Sequence, residues 1–164
     1  MTAYQPEQWH DMFVAMAGAA AALTGLIFVA VSINLEQVLK YRALPPRAVE
    51  TLSLLIGLLV LSVFVLVPGQ SLAALGAELL VLGVVLGGGL LVARIRLPRA
   101  AGQPLTWTVT PVVVILAGTL PTVAAGISVL VQGGGGLYWL VAALILGFVG
   151  SVVNAWILLV EIHR

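Results

Sequence analysis

The sequence contains no cysteine and very little charge. Without cysteine, disulfides, thiolate metal sites and a cysteine nucleophile are excluded, although the redox compartment is left open. Only 8% of the 164 residues are charged, whereas a soluble domain carries about 25%. The hydrophobic fraction is 62%. A soluble fold of this size could not hide so much apolar surface, so most of the chain is predicted to lie in a bilayer.

Basic residues are scarce as well. The formal net charge is +1, and no basic stripe alternates with aromatic residues, so a nucleic-acid partner is not expected. The first eleven residues contain no Lys or Arg. Because the basic n-region of a signal peptide is missing there, we expect no cleavable leader.

Five stretches have the length and composition of membrane-spanning helices. A spanning helix needs roughly 20 apolar residues. The sequence therefore predicts an all-α, single-domain membrane bundle with spans at about 12–34, 49–67, 72–93, 108–131 and 137–161. A Pro-Gly turn separates spans two and three, and a run of four glycines separates spans four and five.

The basic residues predict the orientation of this bundle. All of them fall after span one, after span three or at the C-terminus: Lys40, Arg42, Arg47, Arg94, Arg96, Arg99 and Arg164. In a five-span chain these positions lie on one side. Cytoplasmic loops carry the Lys/Arg excess, so the N-terminus is predicted outside and the C-terminus in the cytoplasm.

Small residues recur at helical spacing in three spans. Close packing of helices in lipid requires such residues, because lipid supplies no hydrophobic drive between helices. The candidate packing positions are Gly18, Ala22 and Gly25 in span one, Gly83 and Gly87 in span three, and Ala143, Gly147, Ser151 and Ala155 in span five. They indicate either packing within one chain or a homo-oligomer seam.

Span four contains two prolines. Pro111 falls in the first turn, where its missing N–H is tolerated. Pro121 lies near the middle, where it removes a backbone hydrogen bond and should kink the helix. Thr119 and Thr122 are placed to bond the released carbonyl of Ala117. Pro121 is a candidate hinge, and the alternative is a static kink.

Glu78 is the one carboxylate well inside a predicted span. It lies roughly 9–10 Å below the outer boundary, at 1.5 Å per residue, in a half of the protein without Lys or Arg. The neutral candidate partners at that depth are Gln70, Ser71, Thr122 and Ser128. Glu78 is predicted to be a hydrogen-bonded packing group, to face a water-filled vestibule, or to be a proton or cation site.

A second polar cluster is predicted at the inner ends of spans one and five. It consists of Ser32, Asn34, Ser151 and Asn154. Amide and hydroxyl side chains tie helices together by hydrogen bonds, so a structural role is expected, with the lining of an inner vestibule as the alternative. Glu50 is within reach of Arg47 by spacing, at the inner edge of span two.

No catalytic constellation is found. The two histidines, His10 and His163, are predicted on opposite faces of the membrane, and Asp11 is the sole aspartate. There is no HExxH, and neither glycine run follows a strand, as a phosphate-binding loop would. The sequence predicts no catalytic residue, no metal site and no cofactor.

Two segments carry a resemblance to a known group. GAAAALTGLIFVAVSINL, residues 18–35, and LVPGQS, residues 66–71, with Trp9 and Phe13 before them, resemble small bacterial multi-span membrane proteins of unknown function. Some members of that group are labelled modulators of the membrane protease FtsH. The resemblance covers about the first 70 residues. It implies a multi-pass protein of the bacterial inner membrane with an accessory role, and it implies no mechanism.

Two functional hypotheses follow from the sequence. The first is a non-enzymatic accessory or regulatory membrane protein that recognises itself or another membrane protein through its helices. The second is a small oligomeric channel or transporter for protons or cations, in which Glu78 titrates, Pro121 is the hinge, and Asn34 and Asn154 line the inner side.

Overall fold

The computed structural model describes residues 2–41, 44–96 and 106–162. Within these ranges there is no strand, and the helices are α1 His10–Ile33, α2 Leu35–Lys40, α3 Leu44–Leu66, α4 Leu72–Ile95, α5 Thr106–Val131 and α6 Tyr138–Ile162. Two 3-10 turns, Thr2–Tyr4 and Pro6–Trp9, precede α1. All six helices except α2 are long and apolar enough to cross a membrane. The predicted all-α bundle of five spanning helices is therefore confirmed.

Four of the helices form a closed ring. α3, α4, α5 and α6 pack in that order, and α6 returns to α3. α4 and α5 share the most extensive contact of any helix pair in the described ranges. α1 lies outside the ring and packs mainly on α3, with Phe13 and Ala20 as its buried residues. The protein is thus a four-helix bundle with one peripheral helix.

The contact between α4 and α5 brings two backbones together. A Cβ atom on Gly126 would lie 2.6 Å from the backbone nitrogen of Leu80 and 2.9 Å from the carbonyl oxygen of Gly76. A Cβ atom on Gly76 would in turn lie 3.0 Å from the Gly126 carbonyl oxygen. Only glycine fits both positions, which is the type of close approach that small residues permit in membrane helices.

α3 begins earlier than the hydrophobic pattern predicts, at Leu44 rather than near Val49. Pro45 and Pro46 occupy its first turn, where a backbone N–H has no intrahelical partner in any case. As a result, Arg47 and Glu50 lie inside the helix and are buried, instead of lying in or beside a polar loop.

The two ends of the bundle differ in chemistry. The turn end carries the α3–α4 turn, the glycine turn between α5 and α6, and the N-terminal segment, residues 2–9. The basic end is the opposite one and, among the described residues, carries Lys40, Arg47, Arg94 and Arg96.

A serine side chain organises each turn at the turn end. Ser71 caps α4 by accepting a hydrogen bond of 3.2 Å from the backbone nitrogen of Ala74. Ser128 Oγ accepts a 2.7 Å hydrogen bond from Gly136 N and donates to the carbonyl of Gly133. Gly136 has a φ of 54°, a backbone conformation that glycine adopts without strain.

The N-terminal segment docks on the glycine turn. The backbone nitrogen of Leu137 donates to the Ala3 carbonyl at 2.9 Å, and the Thr2 hydroxyl lies 2.9 Å from the Tyr138 hydroxyl. Trp9 donates from Nε1 to the Thr2 carbonyl at 2.9 Å and packs edge-to-face on Tyr138, with ring centroids 4.9 Å apart. These contacts join the start of the chain to the start of its last helix.

Pro111 and Pro121 both lie inside α5 and are buried. The neighbouring hydroxyls do not bond Ala117, contrary to the prediction. Thr119 donates to the carbonyl of Ile115 at 2.7 Å, and Thr122 donates to the carbonyl of Gly118 at 3.3 Å. Each hydroxyl donates to the carbonyl four residues before it, because that acceptor lies nearest to the side chain in a helix.

Candidate functional site

Glu78 has a direct hydrogen-bond partner in the protein. Gln70 donates from Nε2 to Glu78 Oε2 at 2.6 Å, and the Glu78 side chain is half-buried. Gln70 lies in the loop between α3 and α4, and Glu78 lies in the second helical turn of α4. The hydrogen bond therefore links that loop to α4 across the start of the helix. Of the four neutral partners expected for this carboxylate, Gln70 is the one the structure places on it.

Gln70 also lines a cleft at the turn end. Its volume is about 290 Å³, and it separates the N-terminal segment and the start of α1 from the α3–α4 turn. Its polar wall consists of Glu7, His10 and Gln70, and the rest of the lining is mainly apolar. Among the described residues, no group of three or more His, Asp or Glu side chains is arranged to hold a metal ion.

A small cavity lies at the centre of the bundle, between α3, α4, α5 and α6. Its volume is about 10 Å³, roughly the space that one water molecule requires. The lining includes Thr119 and Thr122, whose hydroxyl hydrogens are already donated to backbone carbonyls, and Gly83, Gly118 and otherwise mainly leucines. A column of water does not fit in this cavity.

A buried ion pair lies at the basic end, and the sequence did not predict it. Arg94 Nη1 of α4 lies 3.3 Å from Glu50 Oε1 of α3. The side chain of Glu50 is 5% exposed and that of Arg94 is 14% exposed. The two residues are distant in sequence, but α3 and α4 are antiparallel neighbours, so opposite charges at their basic ends meet. The Pro-Pro pair before Arg47 was the signal that α3 starts early enough to bury Glu50.

The predicted inner polar cluster is divided between two places. Ser151 and Asn154 are each 1% exposed and lie on the buried face of α6. Ser32 is exposed and donates to the Phe28 carbonyl at 2.7 Å, while Asn34 donates to the Ala30 carbonyl at 2.9 Å. The α1 pair is therefore bonded within its own helix, and the structure records no hydrogen bond from it to the α6 pair.

Small residues of α4 and α6 face neighbouring helices. Gly83 and Gly87 pack on α5, where a Cβ on either would come within 2.7 Å of Val123 or Thr119. Gly147 packs on Leu58 of α3. The remaining candidates of α6, Ala143, Ser151 and Ala155, are all buried.

The small residues of α1 have a different environment. Added Cβ atoms on Gly18 and Gly25 would meet nothing within 4 Å, and Ala22 between them is exposed. At 100° per residue, Ala22 points away from the buried Phe13 by about half a turn. The face made by Gly18, Ala22 and Gly25, here called the α1 outer face, is therefore uncovered in a single chain.

The comparisons with known proteins give no relative. No family model, no curated protein and no solved structure matches the chain.

Proposed function

We propose that the protein is a non-enzymatic accessory or regulatory membrane protein that acts through helix–helix contacts, with the α1 outer face as its contact surface. The observation that carries this proposal is the contrast between α1 and the bundle helices. The candidate packing glycines of the bundle, Gly83, Gly87 and Gly147, pack against neighbouring helices, whereas those of α1, Gly18 and Gly25, have no neighbour within 4 Å. Small residues that face lipid do not stabilise the single chain, but they allow another helix to approach closely.

The competing hypothesis is conduction of protons or cations through Glu78. It requires a wet path between helices or subunits. Glu78 instead lies against Gln70 near the turn end, and the central cavity of the chain is about 10 Å³. These two observations favour the accessory role.

Photocrosslinking in the membrane tests the contact surface. A photoreactive amino acid replacing Ala22 should give an adduct of defined mass, because the α1 outer face is occupied by a partner helix. The matched control is the same probe at Val149 of α6, which is 58% exposed. Its neighbours three and four residues away on the helix are all large: Ile145, Leu146, Val152 and Val153.

The mass of the adduct decides between partners. Twice the mass of the chain would show a homo-oligomer, and another mass would show a different membrane protein. Equal labelling at Ala22 and Val149, or lipid adducts alone at both positions, would refute the proposal.

We also propose that the turn end faces outward and the basic end faces the cytoplasm, in a bacterial inner membrane. The support is the placement of Lys and Arg at one end of the bundle. With no native cysteine, Glu7→Cys should react in whole cells with a thiol reagent that cannot cross the membrane, and Arg96→Cys should not. The reverse labelling pattern would overturn the orientation.

A further inference from the structure

We propose that the basic end of the bundle encloses an internal water site between α3, α4 and α6. Its residues are Glu50 and Thr51 of α3, Arg94 of α4, and Ser151 and Asn154 of α6, here called the polar layer. The proposal concerns a site inside the chain and does not depend on the function proposed for α1.

The helix register places Asn154, Thr51 and Glu50 at about one level, with Ser151 one turn nearer the membrane centre. Gly147 of α6 packs on Leu58 of α3. α3 and α6 are antiparallel. Asn154 lies seven residues after Gly147 on α6, and Thr51 lies seven residues before Leu58 on α3, so both are displaced toward the basic end. Seven residues are nearly two full turns, so both side chains keep the faces of Gly147 and Leu58. Asn154 therefore faces α3 beside Thr51. Glu50, the residue before Thr51 in the sequence, faces α4, where it pairs with Arg94.

The side chains of the polar layer are not satisfied by each other. Within the described part of the chain, Glu50 Oε2, Ser151 Oγ and both amide atoms of Asn154 are buried and have no hydrogen-bond partner. Thr51 gives its own hydroxyl hydrogen to the Arg47 carbonyl at 2.9 Å. Leaving a buried polar group without a partner costs about 1–3 kcal/mol, and four such atoms within about one helical turn point to a missing partner.

The chemistry of these atoms identifies that partner as water. Glu50 Oε2 and Asn154 Oδ1 need a donor, whereas Asn154 Nδ2 needs an acceptor. A metal cation cannot accept a hydrogen bond from Nδ2, and an anion cannot donate one to the carboxylate. Water does both, and buried waters typically make about three hydrogen bonds to otherwise unsatisfied groups.

The site is closed toward the membrane centre. Leu54, Leu90 and Ile115 form a buried apolar cluster on the central side of the Glu50–Arg94 pair. On the other side, the Arg94 side chain keeps 14% of its surface exposed. Water therefore enters from the basic end along Arg94 and stops at the apolar cluster, which makes the site a blind pocket.

Oxidation of an introduced thiol tests whether water reaches the layer. The cysteine-free chain allows Ser151→Cys to be compared with Ala143→Cys, which lies on the buried face of the same helix at 0% exposure. Hydrogen peroxide reacts with the thiolate, a form that requires water. In the folded protein we expect oxidation of Ser151→Cys, followed by intact mass, to be at least about tenfold faster than that of Ala143→Cys. Equal rates for the two variants would overturn the proposal.

The unfolding midpoint of a double variant is a second test, because it should shift in opposite directions with and without water in the polar layer. In a dry layer, Ser151→Ala combined with Asn154→Leu removes unpartnered polar groups and raises the unfolding midpoint. In a wet layer the same change removes hydrogen bonds to bound water, so we expect the midpoint to fall. An increase in the midpoint would overturn the proposal even if the cysteine variants fail to fold.

Discussion

Gln70 and Glu78 are joined by a hydrogen bond of 2.6 Å that spans the beginning of α4. This bond explains how a carboxylate is tolerated at that depth without a nearby Lys or Arg. The amide of Gln70 supplies the donor that lipid lacks, and the turn of Pro68 and Gly69 brings that amide back over the helix. The same bond ties Glu78 to the α3–α4 turn at the turn end of the bundle.

The first prediction concerns Glu78→Gln. The amide oxygen of the new side chain still accepts from Gln70, and the site is half-buried, so the free energy of unfolding should change by less than about 1 kcal/mol. Proton and monovalent-cation flux in proteoliposomes should equal that of protein-free vesicles for both wild type and variant. Flux in the wild type that disappears in Glu78→Gln would instead make this residue part of a conduction path.

The second prediction concerns the buried ion pair. Arg94→Gln removes the cation that lies within 3.3 Å of Glu50 and leaves Arg47 as the nearby cation that acts on it. It should lower the free energy of unfolding by about 3 kcal/mol, the lower end of the range for a broken buried pair. Arg96→Gln, at an exposed position two residues later, should change it by less than about 0.5 kcal/mol. Denaturant titration in mild detergent, followed by circular dichroism, measures both. Equal effects of the two variants would show that the pair does not stabilise the bundle.

The third prediction concerns the contact of α4 with α5. Gly126→Ala places a methyl group against the backbone of Leu80 and Gly76, and we expect a loss of at least about 1–3 kcal/mol because a backbone cannot move aside as a side chain can. Gly88→Ala is the matched control, because nothing lies within 4 Å of its added Cβ. It should be neutral or slightly stabilising. If both variants unfold at the same denaturant concentration, the close approach of the α4 and α5 backbones does not contribute to stability.

The fourth prediction concerns docking of the N-terminal segment. Gly136→Ala adds a Cβ that overlaps the Ala3 carbonyl at a φ of 54°, a conformation that costs an L-residue about 1–2 kcal/mol. The Leu137 amide, which donates to Ala3, should then exchange its hydrogen about tenfold faster or more. Gly133→Ala is the control, since its nearest neighbours lie 4.0 Å away. Unchanged exchange at Leu137 would contradict this docking geometry.

The sequence predicted the number of spanning helices, because long apolar stretches separated by Pro-Gly and glycine turns leave few alternatives. It did not predict which helix lies outside the bundle. Periodicity shows that Gly18, Ala22 and Gly25 share a face, and it shows the same for Ala143 and Gly147. It does not show which of these faces another helix will cover, since that depends on the packing of the whole chain.

The candidate polar sites were predicted only in part. The neutral partner of Glu78 was among the expected residues, because Gln70 lies in the turn next to it. The pairing of Glu50 with Arg94 was missed, because a helix start taken from hydrophobicity alone placed Arg47 outside the span. Prolines in the first turn extend a helix beyond its apolar part, and the charges at its end are then buried.

The contact between Thr2 and Tyr138 spans 136 residues of sequence, and this has a consequence for how the protein is made. Residues 2–9 are synthesised before the glycine turn that receives them, and four of the five spans lie between the two segments. Until then, α1 lacks the contacts that residues 2–9 make with the glycine turn and the start of α6. The contact between Thr2 and Tyr138 can therefore form only after the glycine turn has been synthesised.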